Sequence, residues 1–176
     1  RGDMVAHFAN SMTGFEEGGL VRSYGNRYYR KPIITSEVRC NKPITVDDWR
    51  YAQSLTDKPV KGMLTGPFTM MDWTFNEYYP NREDTTLALA RELRKEVEAL
   101  VGAGAKIIQI DEPAISVRPQ ELPLVIAAMN IMTEGLPAYF ITHICYGDFQ
   151  PIYPAMLGIP VDNFDLETAN NQFDLL

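Results

Sequence analysis

The stretch Ala105-Lys-Ile-Ile-Gln-Ile-Asp-Glu-Pro113 decides how the chain is read. Its middle is apolar almost without interruption, the pattern of a strand buried on both faces of a parallel sheet rather than one with a wet face. It ends abruptly in two carboxylates, and Pro113 forces an extended conformation on Glu112. Just upstream, residues 83–101 read as a long helix with Asn81 or Asp84 near its cap. Leu87, Ala90, Leu93, Val97 and Leu100 form its apolar stripe, and Gly102 and Gly104 stop it. Downstream, residues 119–133 read as a helix terminated by Gly135, followed by a strand over 138–145. A short helical stretch near 151–157 and a last strand over 162–167 complete the order, with Glu167 at the end.

Toward the N-terminus, Met4, Val5, Phe8, Met12 and Phe15 recur at helical spacing behind Asp3, so residues 3–15 are expected to be helical up to Gly18-Gly19. Residues 20–29 are a strand or an extended loop. Arg22, Arg27, Arg30 and Lys31 make this the most basic part of the chain, either a solvated loop or a platform for an anionic substrate tail. A β-branched strand is expected over 31–38. A helix over 45–55 follows, with the Thr45 hydroxyl accepting from the Asp48 amide, and a short strand over 60–65 breaks at Gly66-Pro67.

Strands alternating with helices indicate a parallel sheet, and a doubly wound fold is disfavoured because no G-x-G-x-x-G turn is present. Glu37, Thr65, Asp111, Glu112, His143, Cys145 and Glu167 all fall at or just past the C-terminal ends of expected strands, the face on which TIM (β/α)8 barrels build their sites. The expectation is an α/β chain, residues 1–176 being a fragment of a single barrel domain with roughly five central strands. Five strands cannot close a barrel, so the others are expected outside these residues. The segment alone, with open sheet edges and bare barrel interior, is expected to aggregate or stay molten.

The chain has 176 residues, 45% apolar and 22% charged, with a net charge of -7. That balance argues against nucleic acid and anionic membranes as partners. The longest apolar run, residues 122–132, is too short to span a bilayer and contains Asn130. The opening Arg1-Gly2-Asp3 is unlike a signal peptide, and two distant cysteines suggest reduced thiols in the cytoplasm. A start without methionine and an end without a closing element are expected of part of a longer polypeptide.

In Ala138-Tyr-Phe-Ile-Thr-His143-Ile-Cys145-Tyr-Gly147, the imidazole and thiol stand at i and i+2 on one strand face. Such a pair is either buried filler or two ligands of a zinc ion. With Glu167 from the neighbouring strand end it would give a nitrogen, sulfur and oxygen set; Glu167 is otherwise a surface carboxylate. Of Asp111 and Glu112 only one should face the barrel mouth, where a carboxylate suits a substrate ammonium; the other reading is a loop-capping carboxylate. Gly66-Pro67-Phe68-Thr-Met-Met-Asp-Trp73-Thr-Phe75 reads as a turn followed by aromatics, which either stack on a flat heterocycle or pack in the core.

At these residues the chain resembles the C-terminal catalytic domain of cobalamin-independent methionine synthases, in the methionine synthase and uroporphyrinogen decarboxylase barrel superfamily. The resemblance is carried by Arg22-Ser-Tyr-Gly-Asn-Arg27 with Lys31-Pro-Ile-Ile34, by residues 51–67, by Ile108-Gln-Ile-Asp-Glu-Pro-Ala114, by Thr142-His-Ile-Cys-Tyr146 and by Leu166-Glu-Thr168. It implies a barrel in which zinc binds the homocysteine thiol, which takes a methyl group to give methionine. By motif position His143, Cys145 and Glu167 match zinc ligands, Asp111 a carboxylate holding the homocysteine amino group, and Trp73 an aromatic beside the folate pterin. The family's fourth ligand, a cysteine on a later strand, has no counterpart here, and Cys40 matches no ligand position. The neighbourhoods of residues 72–75 and 38–41 are less similar to the long enzymes. Shorter relatives also resemble the chain, so the implied donor is methyltetrahydrofolate or a methylcorrinoid, the latter with a corrinoid protein as partner. The competing readings are a thiol- or metal-binding superfamily member without catalysis, and a decarboxylase acting on a tetrapyrrole, which needs no such ligand set.

Overall fold

The computed structural model describes residues 3–22, 26 and 28–168, and it opens by dividing what the apolar spacing had joined. Helix α1 (Met4–Ser11) is capped by Asp3, whose Oδ1 accepts from the Val5 amide at 2.9 Å, and buries Val5, Phe8 and Ala9. It stops at Met12, and Thr13–Arg22 is strand β1, not the end of a helix. Spacing alone missed this because β1 is held by pairing: it runs antiparallel to β2 (Tyr28–Arg39), with Phe15 opposite Ile34. Gly14, at φ +95°, makes the irregularity that lets Thr13 pair with Arg39.

The β-branched run of residues 31–38 therefore belongs to a hairpin and not to the parallel sheet. Glu37 lies within β2, exposed and paired with Arg39 at 2.7 Å, so it is not at the mouth. Of the basic platform, Arg27 lies outside the described residues, Arg30 pairs with Glu17, and the Lys31 ammonium sits 4.3 Å from the centre of the Phe75 ring.

Helix α2 (Val46–Ser54) begins at Thr45, but the hydroxyl makes no cap to Asp48. It donates instead to Glu96, 51 residues away, at 2.7 Å. The Ile44 and Thr45 amides donate to the same carboxylate at 2.6 and 2.7 Å. Glu96 is 0% exposed, so one buried charge satisfies three donors where the chain enters α2. Replacing Glu96 with alanine leaves them unpaired, and we expect a loss of roughly 3 kcal/mol, or about 10 °C in Tm. Thermal unfolding of the full-length protein checks this, and an unchanged Tm defeats it.

Then come β3 (Gly62–Thr65), α3 (Pro67–Asp72), a short β4 (Phe75–Asn76) and α4 (Arg82–Ala103). Asn81 caps α4 by accepting from the Asp84 amide at 2.8 Å. Gly102 is inside the helix, and Gly104 at φ +107° ends it. Strand β5 (Ile107–Asp111) leads through single-turn helices at Pro113–Val117 and Pro119–Glu121 into α5 (Leu122–Thr133). After β6 (Tyr139–Ile144), a short 3-10 turn at Ala155–Gly158 precedes β7 (Asn163–Leu166). Two sheets result. The hairpin and β4 form a three-stranded one ordered β1-β2-β4, while β3, β5, β6 and β7 form a four-stranded one in which every pair is parallel. The parallel sheet thus has four strands, one fewer than the sequence suggested.

Gly62, Leu64, Ile108, Ile110, Phe140 and Ile144 line the face under the helices; a Cβ at Gly62 would press on the Leu100 side chain of α4 at 3.0 Å. Leu89, Leu93, Val97, Val125, Met129 and Met132 complete that core. The other face carries Met63, Thr65, Gln109, Asp111, Ile141, His143 and Asp165, and its polar members collect at the C-terminal end. No described helix is long and apolar enough to cross a membrane.

Candidate functional site

The register sets Thr65, Asp111, His143 and Asp165 side by side across the four strands. Backbone bonds continue past the strand ends: Gly66 N donates to Asp111 O at 2.8 Å, Glu112 N to His143 O at 3.0 Å and Glu167 N to Ile144 O at 3.1 Å. Residues up to 102 positions apart in sequence thereby share one rim.

The two carboxylates after Ile110 separate as strand geometry requires. Glu112, 0% exposed, turns toward the helices. It accepts from the Phe68 amide at 3.0 Å and from the amide and hydroxyl of Thr69 at 2.7 Å each. Burial pushes its pKa up to about 7, against the opposing pull of those three donors. A side chain at Gly66 would run into this carboxyl, which explains the glycine. Glu112 is thus the capping carboxylate, and it anchors α3, a helix where the sequence suggested a turn; Pro67 at its first position fits the same start.

Asp111 takes the mouth. Its Oδ1 accepts from Gln109 Nε2 at 2.7 Å, while Oδ2 receives no hydrogen bond from any described residue. Burial raises its pKa, and Gln109, His143 and Lys61 pull it back.

His143 Nδ1 lies 2.9 Å from the Asp165 carbonyl oxygen, an acceptor only, so Nδ1 carries a proton toward it and Nε2 is the ring nitrogen that points elsewhere. Cys145 is half-buried one residue beyond β6. Its carbonyl accepts from the Ser116 hydroxyl at 3.3 Å; Tyr146 beyond it adopts φ +53°, and a side chain at Gly147 would collide with Ser116. Tyr146 N in turn donates to Glu167 Oε2 at 3.3 Å, tying the Cys145 turn to the end of β7. The Cys145 thiol pKa is raised by burial first, then by the Asp111 and Glu167 carboxylates, so all three feel one another.

Nitrogen, sulfur and oxygen donors at this rim fit zinc chemically, and two nearby carboxylates that disfavour a thiolate are what a dication would reverse. Among the described residues no three His, Cys, Asp or Glu groups form a ready metal-ligand cluster. Trp73 closes α3, half-buried and packed on the core, and the six-residue helix sets it about 9 Å from the end anchored by Glu112. Phe75 lies in β4, in the three-stranded sheet. Sequence reasoning missed Gln109 and Lys61, whose amide and ammonium lie 2.5 Å apart on the Asp111 face. The available signal was the i, i+2 spacing of Gln109 and Asp111.

Residues 1–176 match the family described as "Cobalamin-independent synthase, Catalytic domain". The methionine synthase of Saccharolobus solfataricus is 41% identical over 174 residues, 97% of this chain and 52% of that protein. A 5-methyltetrahydropteroyltriglutamate--homocysteine methyltransferase of Chelativorans sp. is 40% identical over 188 residues, covering 100% of this chain and 24% of that one. Among solved structures, a B12-independent methionine synthase from Shewanella sp. W3-18-1, in complex with selenomethionine, superposes with a TM-score of 0.82 at 26% identity. It covers 92% of this chain and 53% of that one. The chain spans about half the length of several curated relatives it matches, or less.

Proposed function

The chain belongs to the cobalamin-independent methionine synthase catalytic-domain family, and on that premise we propose that it carries the rim at which homocysteine is methylated to methionine. The observation that supports this most directly is the alignment of Asp111 and His143 on adjacent strands, with Cys145 and Glu167 just beyond. In this reading the four parallel strands are an arc of a (β/α)8 barrel, and His143, Cys145 and Glu167 are its zinc ligands. Bound zinc would supply Lewis-acid stabilisation that lowers a thiol pKa toward neutrality.

The remaining roles fall to the chain's own groups. Asp111 Oδ2 receives the homocysteine ammonium, a charge-assisted bond that fixes the amino acid relative to the rim. Trp73 offers an aromatic face to the donor's pterin. The homocysteine sulfur attacks the donor methyl carbon in line; an S–C bond forms as the N–C bond breaks, and the departing nitrogen takes up a proton. Orientation of the two substrates is the main contribution asked of the scaffold.

Methyltetrahydrofolate, with its glutamate tail, is the donor in this reading, in keeping with the name of the Chelativorans relative. The test is full-length protein purified with thiols reduced, assayed for bound zinc and for methionine formed from homocysteine with methyltetrahydrofolate or methylcobalamin. Stoichiometric zinc with folate-dependent turnover is expected. Turnover with the corrinoid alone would reassign the donor, zinc exchange without turnover would leave a binding protein, and neither zinc nor turnover would remove the proposal.

A further inference from the structure

Resting on the reading of Asp111 as the ammonium acceptor, we infer that Gln109 and Lys61 are positioning residues that fix the Asp111 carboxylate. Lys61 lies two residues before Met63, the residue paired with Gln109, so Lys61, Gln109 and Asp111 descend one face of the sheet in a line. Lys61 Nζ is 2.5 Å from Gln109 Oε1, and Gln109 Nε2 is 2.7 Å from Asp111 Oδ1 and 3.9 Å from the Met63 sulfur. An ammonium has no acceptor, so it decides which way the amide points. The carbonyl faces Lys61, both amide hydrogens are taken, and one of them holds Asp111. Flipping the amide would set carbonyl against carboxylate and NH2 against ammonium. Gln109 is 5% exposed, which confines it to this orientation, whereas Lys61 is exposed. The outcome is a carboxylate with one oxygen engaged and the other presented to a substrate.

At Lys61, charge and orientation predict opposite outcomes. Removing the Lys61 charge should strengthen binding of a cationic ammonium if charge alone matters; if Lys61 acts by orienting Gln109, binding should weaken. Steady-state kinetics of the full-length enzyme and its Lys61→Met, Lys61→Arg and Gln109→Leu variants separate the two. Expected are a several-fold rise in the homocysteine KM for Lys61→Met, with kcat within about twofold, and a rise of about tenfold for Gln109→Leu. Lys61→Arg, which still only donates, should restore a KM near that of the wild type. A KM for Lys61→Met that is unchanged or lower overturns the inference, and because Lys61 is exposed this variant decides the matter even if Gln109→Leu does not fold. A wild type that does not turn over homocysteine overturns the family reading and this inference with it. An active wild type with an indifferent Lys61→Met overturns the inference alone.

Discussion

Replacing Glu112 with alanine is expected to destabilise the full-length protein by about 4 kcal/mol, lowering Tm by more than roughly 10 °C. The change empties a fully buried position and strands the Phe68 amide, the Thr69 amide and the Thr69 hydroxyl. Glu112→Gln tests the cause. It preserves volume and keeps one acceptor oxygen, but turns an NH2 toward donors, so about half of the loss should remain. Activity should fall too, because α3 and Trp73 are seated through Glu112, and its amide bonds the His143 carbonyl. Thermal unfolding of both variants beside methionine formation is the measurement. Two variants within about 1 kcal/mol of the wild type would show that α3 holds without this anchor.

Cys145→Ser should instead spare the fold and cost the chemistry. The side chain is half-buried and the change removes no volume of consequence, so, with both proteins compared metal-free, Tm should move by no more than about 2 °C. Groups that merely support a metal ligand are worth 10–100-fold in affinity or activity, so loss of the ligand proposed here should reduce turnover by at least about 100-fold, with zinc falling in parallel. Cys40→Ser is the control. Its sulfur lies 3.3 Å from the Lys42 carbonyl, in a part of the chain distinct from the rim, and zinc content should be kept. A Cys145→Ser protein that retains its zinc would remove Cys145 from the ligand set.

How much of this was legible beforehand depended on whether the deciding contact was local. The apolar run ending at Asp111, the Asn81 cap and the Gly104 stop are short-range patterns, and each element formed near its expected bounds. The hairpin was not legible, since Met12 and Phe15 suit a helix as well as a strand and only the partner Ile34 chooses. Thr45 shows the same limit, because the group that satisfies it is on α4. At the site, strand alternation foretold that Asp111 and Glu112 would face opposite ways, and Asp111 and His143 did end on one rung. What no local pattern carried are the distant partners, Thr69 for Glu112 and Ser116 for Cys145, whereas Gln109 stood two residues from Asp111 and was legible in principle.

The face that carries the rim also leaves Met63 and Tyr139 with nearly half their surface in water. For the ribosome this is a question of time. At ordinary synthesis rates 176 residues take roughly 10–35 s to emerge. Once made, those side chains gain only partial cover from these residues, Met63 remaining 44% and Tyr139 48% exposed. A nascent chain in that condition is a natural client for chaperones that hold rather than fold, and slowing translation would lengthen its dependence on them.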